Sequence, residues 1–180
     1  MRYASVRSMD ISNGDGIGIS LFVQGCRFHC KNCFNESTWA FNGGKEWTKD
    51  KEDEFLKLAD KQYIKRISIL GGEPLADENL SGVLSLVNKI RRLYGNTKSI
   101  WLYTGYYWEW IMDNQFEELG NGYSRWTDQA LIVSQCDILV DGRFIDEQKD
   151  LSLRWKGSKN QRVIDVRKSF ESRRVVLHCE

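Results

Sequence analysis

The sequence has little of what marks multidomain, membrane-bound or secreted chains. Its 180 residues include a single proline, Pro74, and no low-complexity linker or internal repeat that would indicate a domain boundary. No apolar run approaches the roughly 20 residues that span a bilayer, and the N-terminal segment has no apolar signal region. We therefore expect one globular domain, residues 1–180, that resides in the cytoplasm and has no membrane partner.

The sequence also lacks an excess of charge of either sign. Lysine and arginine number 26 against 25 aspartates and glutamates, which gives a formal net charge of +1. Proteins that bind duplex nucleic acid neutralise its phosphates with a clear excess of basic side chains. The composition therefore predicts that nucleic acid is not a partner.

The five cysteines are distributed unevenly. Three of them, Cys26, Cys30 and Cys33, fall within eight positions in the stretch GCRFHCKNC. An odd number of cysteines with three close together favours metal or redox chemistry over a disulfide framework. We expect Cys136 to be a buried small apolar residue and Cys179 to lie in a frayed C-terminal tail.

Four short apolar runs that end at glycine predict β-strands. Each is rich in β-branched or aromatic residues, and each is followed by a segment with helical spacing or by a loop. The runs are ISLFVQG at 19–25, RISILGG at 66–72, IWLYTG at 100–105 and DILVDG at 137–142. The last thirty residues contain two further β-like segments, QRVIDV and RRVVLH, that we expect to cover an edge of the sheet.

Helices are predicted between these strands, near residues 49–63, from Asp77 onward and over 106–119, because apolar residues recur there at helical spacing. Strands that alternate with helices form right-handed crossovers and a parallel sheet, whose ligands bind at the carboxyl ends of the strands. About four such units are too few to close a full barrel. The prediction is an α/β fold with a mostly parallel sheet, arranged as an incomplete, open (βα) barrel.

Three thiolates in one loop form an incomplete ligand set for an iron–sulfur cluster. Such clusters are normally held by four cysteines, so a four-iron cluster with three protein ligands keeps one iron open to a substrate. Zinc is the alternative, with His29 or the distant Cys136 as the fourth ligand of a closed tetrahedral site. Because zinc sites more often pair their ligands as two separated couples, the spacing favours the iron–sulfur cluster.

Two motifs occur together in the sequence: Cys-x3-Cys-x2-Cys after the first predicted strand, and GGEP at residues 71–74 after the second. This combination resembles the radical S-adenosylmethionine (radical SAM) enzymes. Further segments narrow the resemblance to the activating proteins of anaerobic (class III) ribonucleoside-triphosphate reductases, over roughly residues 1–166. These segments are STW at 37–39, IWLYTGY at 100–106, LVDGRF at 139–144 and KDLSLRWKGSKNQRV at 149–163.

The resemblance implies a radical-SAM-type barrel and an oxidoreductase that cleaves S-adenosylmethionine reductively at a 4Fe-4S cluster. The resulting 5′-deoxyadenosyl radical takes a hydrogen atom from a glycine of the reductase, which keeps a glycyl radical. The implied partners are the large subunit of the anaerobic reductase, as protein substrate, and an electron donor such as flavodoxin.

The resemblance also implies roles for individual residues. The three clustered cysteines hold the iron. Gly71 and Gly72 let the methionine end of the cofactor approach the backbone, and Glu73 accepts a hydrogen bond from its ammonium group. The residues implied to contact adenosine are Asn32, Phe34 and Thr104. For Thr104, a turn-capping role is an equal alternative.

Other functions are compatible with parts of this pattern. One is an activase of another glycyl-radical enzyme, of the pyruvate formate-lyase type, and another is a small-molecule enzyme such as a deazaguanine synthase. The segments from STW to KGSKNQ favour the ribonucleotide reductase family over both. An alternative from a different class is a zinc or iron–sulfur binding module without catalytic turnover.

Overall fold

The computed structural model describes residues 1–120 and 123–179. It has a mixed α/β architecture in which helices cover a seven-stranded sheet and a two-stranded hairpin stands beside it. The strands are β1 Arg2–Asp10, β2 Gly18–Val23, β3 Lys45–Glu46, β4 Arg66–Gly71, β5 Ser99–Tyr103, β6 Phe116–Gly120, β7 Tyr123–Trp126, β8 Ile138–Asp141 and β9 Arg162–Asp165. The helices are α1 Lys49–Ala59, α2 Asp77–Tyr94, α3 Trp108–Asp113, α4 Asp128–Ser134 and α5 Val166–Ser172.

The centre of the seven-stranded sheet is parallel, as the sequence predicts. The strand order is β3-β1-β2-β4-β5-β8-β9, and β2, β4, β5 and β8 pair in parallel. These four strands are the four glycine-terminated runs of the sequence, so their carboxyl ends lie along one edge of the sheet. The outer strands β1, β3 and β9 pair antiparallel. The segment QRVIDV covers the β8 edge as expected.

The two faces of the sheet differ because successive side chains of a strand point to opposite sides. One face, which we call the helix-covered face, packs its apolar side chains under the helices in the main core; examples are Ile19, Ile67, Ile69 and Leu102. The opposite face, which we call the pocket face, carries the alternate residues. Those of the central strands include Ser20, Phe22, Arg66, Ser68, Leu70, Trp101 and Tyr103.

The helix predicted over residues 106–119 is wrong in its second half. Helix α3 ends at Asp113, and Phe116–Gly120 forms strand β6 of the hairpin. Phe116 pairs across the hairpin with Trp126, whose ring lies 5.7 Å away in an edge-on arrangement. This cross-strand aromatic contact stabilises the strand pair, while Leu119, predicted to lie on a helix face, is exposed.

The predicted frayed tail is also wrong. Helix α5 follows β9 directly, and the chain then returns along β9: Asp165 N donates to Val176 O at 2.9 Å and His178 N donates to Val163 O at 2.8 Å. The His178 ring lies beside Trp101, and its Nε2 is 2.8 Å from Asp15 Oδ2. Contacts across the chain therefore hold the C-terminal segment in place.

Cys136 is buried in the main core, where its thiol donates to the carbonyl oxygen of Ile132. The prediction that it is a small apolar core residue is therefore confirmed. Within the described residues, no helix is both long enough and apolar enough to cross a membrane.

Candidate active site

A cavity of about 420 Å³ opens at the carboxyl ends of the parallel strands. This is the edge at which ligands of parallel α/β sheets bind. Its walls come from the pocket face of the sheet, from the loop that follows β2, and from the loops that follow β4, β5 and β8. The predicted site residues on its walls are Cys26, Cys30, Cys33, Phe34, Gly71, Gly72, Glu73 and Thr104.

The loop after β2 carries all three clustered cysteines. Its start is fixed by two backbone hydrogen bonds, from Gly25 N to Thr38 O at 2.7 Å and from Cys26 N to Trp39 O at 3.0 Å. Cys26 is buried, whereas Cys30 and Cys33 are half-buried. The loop therefore begins against the core and turns outward, which presents three thiols to one cavity.

Burial raises the pKa of the Cys26 thiol to about 11. It also raises the pKa of Cys30, and the neighbouring Cys33 adds to that effect. Hydrogen bonds from backbone N–H groups act to lower the pKa of Cys26 and Cys30. Cys33 also has a backbone donor, since Asn35 N donates to its Sγ at 3.4 Å. Because a metal ligand must be the thiolate, N–H donors around sulfur suit a site where a metal replaces the proton.

The arrangement does not fit a single metal ion. Among residues 1–120 and 123–179, no three His, Cys, Asp or Glu side chains converge closely enough to hold one ion. Of the fourth ligands considered for zinc, Cys136 lies in the main core, and His29 is exposed and is not on the cavity wall. A four-iron cluster takes one thiolate per iron, so its ligands surround it and do not meet at one point. The donor set therefore fits the cluster.

The GGEP loop is held against the start of the cysteine loop. Gly72 N donates to Val23 O at 2.9 Å and Glu73 N donates to Gly25 O at 2.7 Å. A Cβ at Gly72 would overlap the carbonyl oxygen of Gly25, and Gly71 has a φ of +105°. Packing of the two loops thus requires Gly72, and the positive φ of Gly71, together with the nearby backbone of Phe22, requires the other glycine. Their contact with a methionine moiety stays a prediction.

Glu73 is a buried carboxylate whose hydrogen bonds come from within the protein. Its Oε1 accepts from Leu75 N at 2.9 Å and from Thr104 Oγ1 at 2.7 Å, and its Oε2 accepts from Gly105 N at 2.8 Å. Burial raises its pKa to about 7, although these three hydrogen bonds act to lower it. A carboxylate offers about four acceptor positions, so one remains for a ligand.

The remaining predicted residues occupy different surroundings. Thr104 is buried and serves as a turn residue, since its hydroxyl donates to Glu73 and accepts from Tyr106 N. Phe34 lies on the cavity wall with its ring half exposed. Asn32 is exposed and is not on that wall; its amide donates to Asp146 Oδ2 at 2.7 Å, and its φ of +55° shapes the cysteine loop. Contacts of these three with adenosine stay predictions.

Sequence comparisons agree on one family. Residues 12–164 match the family described as "4Fe-4S single cluster domain". Anaerobic ribonucleoside-triphosphate reductase-activating proteins from three bacteria are similar to this chain: that of Vibrio cholerae is 39% identical over 163 residues, 89% of this chain and 96% of the relative. That of Escherichia coli is 38% identical over 169 residues, 93% and 100% of the two chains. That of Haemophilus influenzae is 34% identical over 163 residues, 89% and 96% of the two chains.

This chain belongs to the anaerobic ribonucleoside-triphosphate reductase-activating protein family. The resemblance drawn from the cysteine motif, GGEP and the later segments is therefore confirmed. Three segments of that resemblance meet at the cavity of this family member. IWLYTGY supplies Thr104 and Gly105, LVDGRF supplies Arg143, and the KGSKNQ segment supplies Gly157.

Part of the cavity of this family member was missed by the sequence analysis. The wall also includes Arg7 from β1, Asn13 from the loop before β2, Tyr103 from β5 and Trp155 from the loop before β9. Tyr103 could have been found, because it occupies the carboxyl end of a predicted strand next to Thr104. Trp155 lies in the KDLSLRWKGSKNQRV segment of the resemblance, which was a signal for it. Arg7 and Asn13 carry no local signal, since only the tertiary fold brings their segments to the pocket face.

Proposed function

We propose that this protein activates an anaerobic ribonucleotide reductase by generating the glycyl radical of that enzyme. The chain is then a single radical SAM domain, in which the three cysteines hold a 4Fe-4S cluster and the adjoining cavity binds S-adenosylmethionine. A cluster held by Cys26, Cys30 and Cys33 would supply the one-electron reduction that splits S-adenosylmethionine into methionine and a 5′-deoxyadenosyl radical, and that radical would take a hydrogen atom from a glycine of the reductase.

The observation that carries this proposal is the placement of Cys26, Cys30 and Cys33 on one cavity wall with Glu73. A ligand whose ammonium group donates to the remaining acceptor position of Glu73 would have that amino-acid end on the cavity wall that also carries the three cysteines. The names of the relatives give the protein substrate, because they are called activating proteins of the reductase. The proposal also includes an electron donor such as flavodoxin and a location in the cytoplasm.

The chain's own residues position and enclose the reactants. Leu75 N, Thr104 and Gly105 N fix the orientation of the Glu73 carboxylate before the ligand arrives. The backbone hydrogen bonds of Gly72 and Glu73 fix the GGEP loop against the cysteine loop. Such preorganisation reduces the cost of aligning two reacting groups.

An open barrel is part of the proposal. The loop before β2 lies across the pocket face, since Asn13 O accepts from Ser68 Oγ in β4 and a Cβ at Gly14 would meet the Trp101 ring in β5. The C-terminal segment beside β9 reaches the same loop, where His178 contacts Asp15. An open barrel would leave the carboxyl ends of the strands accessible to a loop of the reductase.

The test is anaerobic reconstitution of the protein with iron and sulfide, followed by addition of S-adenosylmethionine and a strong reductant. The proposal predicts about four iron and four sulfide per chain and formation of 5′-deoxyadenosine. A colourless zinc protein would contradict it. A brown protein that never cleaves S-adenosylmethionine would indicate a ferredoxin-like module instead.

A further inference from the structure

The hairpin of β6 and β7 presents exposed apolar side chains to solvent. Within residues 1–120 and 123–179, its strands hydrogen-bond only to each other. Trp126 packs against the main core, so alternation along β7 places Tyr123 on the opposite, outward face. Tyr123 is 74% exposed and Leu119 in β6 is 57% exposed.

Contacts connect this hairpin to the mouth of the cavity. The Phe28 ring in the cysteine loop lies 4.9 Å from that of Tyr106, which stacks on Trp110 in α3 at 4.5 Å. Helix α3 leads directly into β6, and Gln129, just after the hairpin, donates to Leu75 O in the segment after Glu73. Helix α3 therefore begins at the cavity mouth, and the base of the hairpin lies close to the segment that follows Glu73.

Five aromatic and aliphatic side chains of this region are exposed: Tyr107, Trp110, Phe116, Leu119 and Tyr123. We define the rim patch as the four without Phe116, whose ring lies against Trp126. Tyr107 contacts the cavity wall, because a Cβ built on Gly142 would lie 2.9 Å from its ring. The surrounding segment, residues 105–127, carries four acids and one arginine. Glu109 pairs with Arg162 and Glu117 pairs with Arg125, so Asp113 and Glu118 are its acids outside the ion pairs of the described residues.

Under the proposed function, the reductase must touch this rim. The 5′-deoxyadenosyl radical is too reactive to cross water, so the glycine has to be delivered into the cavity while the surrounding reductase surface covers its mouth. Exposed apolar side chains, aromatic rings above all, are the ones that become buried at protein interfaces. A second copy of this chain fits less well, because a symmetric dimer would bring two acidic segments together and cover the route of the glycine.

We propose that the rim patch is the docking surface for the reductase, and that it binds an apolar reductase segment flanked by basic side chains. This inference rests on the proposed function. The experiment compares the variant Leu119→Ser/Tyr123→Ser with the matched control Leu93→Ser/Tyr63→Ser. The control residues are also exposed, Leu93 at 55% and Tyr63 at 45%, and lie outside the rim patch.

The measured quantity is the rate of glycyl radical formation as a function of reductase concentration, followed by electron paramagnetic resonance. In the Leu119/Tyr123 variant, the reductase concentration for half-maximal rate should rise about tenfold or more. The maximal rate, the iron content and the cleavage of S-adenosylmethionine without reductase should stay unchanged. The Leu93/Tyr63 control should match the parent protein in every measurement.

If the rate of glycyl radical formation by the Leu119/Tyr123 variant depended on reductase concentration as it does in the parent protein, the proposed docking surface would be overturned. A change from dimer to monomer in sedimentation, with reductase activation unaffected, would also overturn it, because it would assign the patch to self-association. If the parent protein forms no glycyl radical at all, the proposed function fails. Docking is then tested separately by titrating labelled reductase against the parent protein and the two variants.

Discussion

Strand β4 shows most clearly how the two faces of the sheet differ. Ile67 and Ile69 are fully buried under the helices, whereas the alternate residues Arg66 and Ser68 turn to the pocket face and are equally buried. Ser68 Oγ donates to Asn13 O at 2.7 Å, and Arg66 Nη2 donates to Asp10 O at 2.5 Å. On this strand, one face is therefore held by apolar packing and the other by hydrogen bonds to the loop before β2. Farther along the pocket face, Trp101, Ile138, Val140 and Val163 form a second, smaller apolar cluster.

The difference indicates which residues fold the chain and which build its site. Burial of apolar side chains is non-directional and tolerates many sequences. Buried polar groups instead require specific partners, so they fix loops in one position. On this protein, the cysteine loop and the GGEP loop lie at the end of the pocket face. We expect substitutions on that side to change chemistry and substitutions on the helix-covered face to change stability.

The largest effect is expected at the cysteines. Cys26→Ala, Cys30→Ala or Cys33→Ala should each abolish S-adenosylmethionine cleavage, because a cluster with two protein ligands is not held. The measurement is iron content and visible absorbance after anaerobic reconstitution, together with 5′-deoxyadenosine formation.

The control is Cys136→Ala on the helix-covered side, which should keep the cluster and the cleavage reaction. Cys179→Ala should behave in the same way. Loss of the cluster in Cys136→Ala would indicate a fourth cysteine ligand and would contradict the assignment of the two faces.

The next effect is expected in the main core. Ile69→Ala should lower the free energy of unfolding by about 2 to 5 kcal/mol, because it leaves a cavity in a closely packed region. At temperatures well below unfolding, S-adenosylmethionine cleavage per cluster should stay as in the parent. Denaturant unfolding and 5′-deoxyadenosine assays check the two statements separately. A stable Ile69→Ala protein with weakened cofactor binding would break the distinction between the faces.

A smaller effect is expected from the pH dependence of Glu73. Its pKa is raised from an ordinary value of 4.5 to about 7 by burial. The folded state therefore binds this proton more tightly than the unfolded chain, so stability is full below pH 4.5 and falls as the pH rises to about 7. The loss is at most roughly 3 kcal/mol.

Glu73→Gln should remove this contribution, because the amide does not titrate. Urea unfolding of the reduced, metal-free parent and variant between pH 4.5 and 8 measures it as a difference between the two curves. If the free energy of unfolding changed with pH in the same way in the parent and in Glu73→Gln, Glu73 would not be a buried carboxylate of raised pKa.

Much of the central fold could be predicted because its signals are local. The four parallel strands are short apolar runs closed by glycine, and α2 has apolar residues on one face over 18 residues. The hairpin could not be predicted, because Trp108, Ile111 and Met112 continue by chance into a pattern that looks helical. Residues 116–120 form a strand because Phe116 pairs with Trp126, ten positions along the chain, and a local helical pattern does not reveal that pairing.

The candidate site divides in the same way. The cysteines and Glu73 belong to motifs with fixed spacing, and the structure places all four on one cavity wall. The side chain of Asn32, a residue that the resemblance implies contacts adenosine, lies outside the wall and donates to Asp146, and its contact with adenosine stays a prediction. Its position depends on the left-handed backbone of the cysteine loop, which a sequence pattern does not reveal.

The central proposal is that a radical formed at the pocket face takes a hydrogen atom from a glycine of the reductase, so that the unpaired electron remains on the reductase. The most direct measurement is electron paramagnetic resonance of the reduced, cluster-loaded protein mixed with S-adenosylmethionine and an anaerobic ribonucleotide reductase from the same source. The proposal predicts a glycyl doublet on the reductase that disappears when its C-terminal glycine is replaced by alanine. Formation of 5′-deoxyadenosine without any protein radical would contradict it.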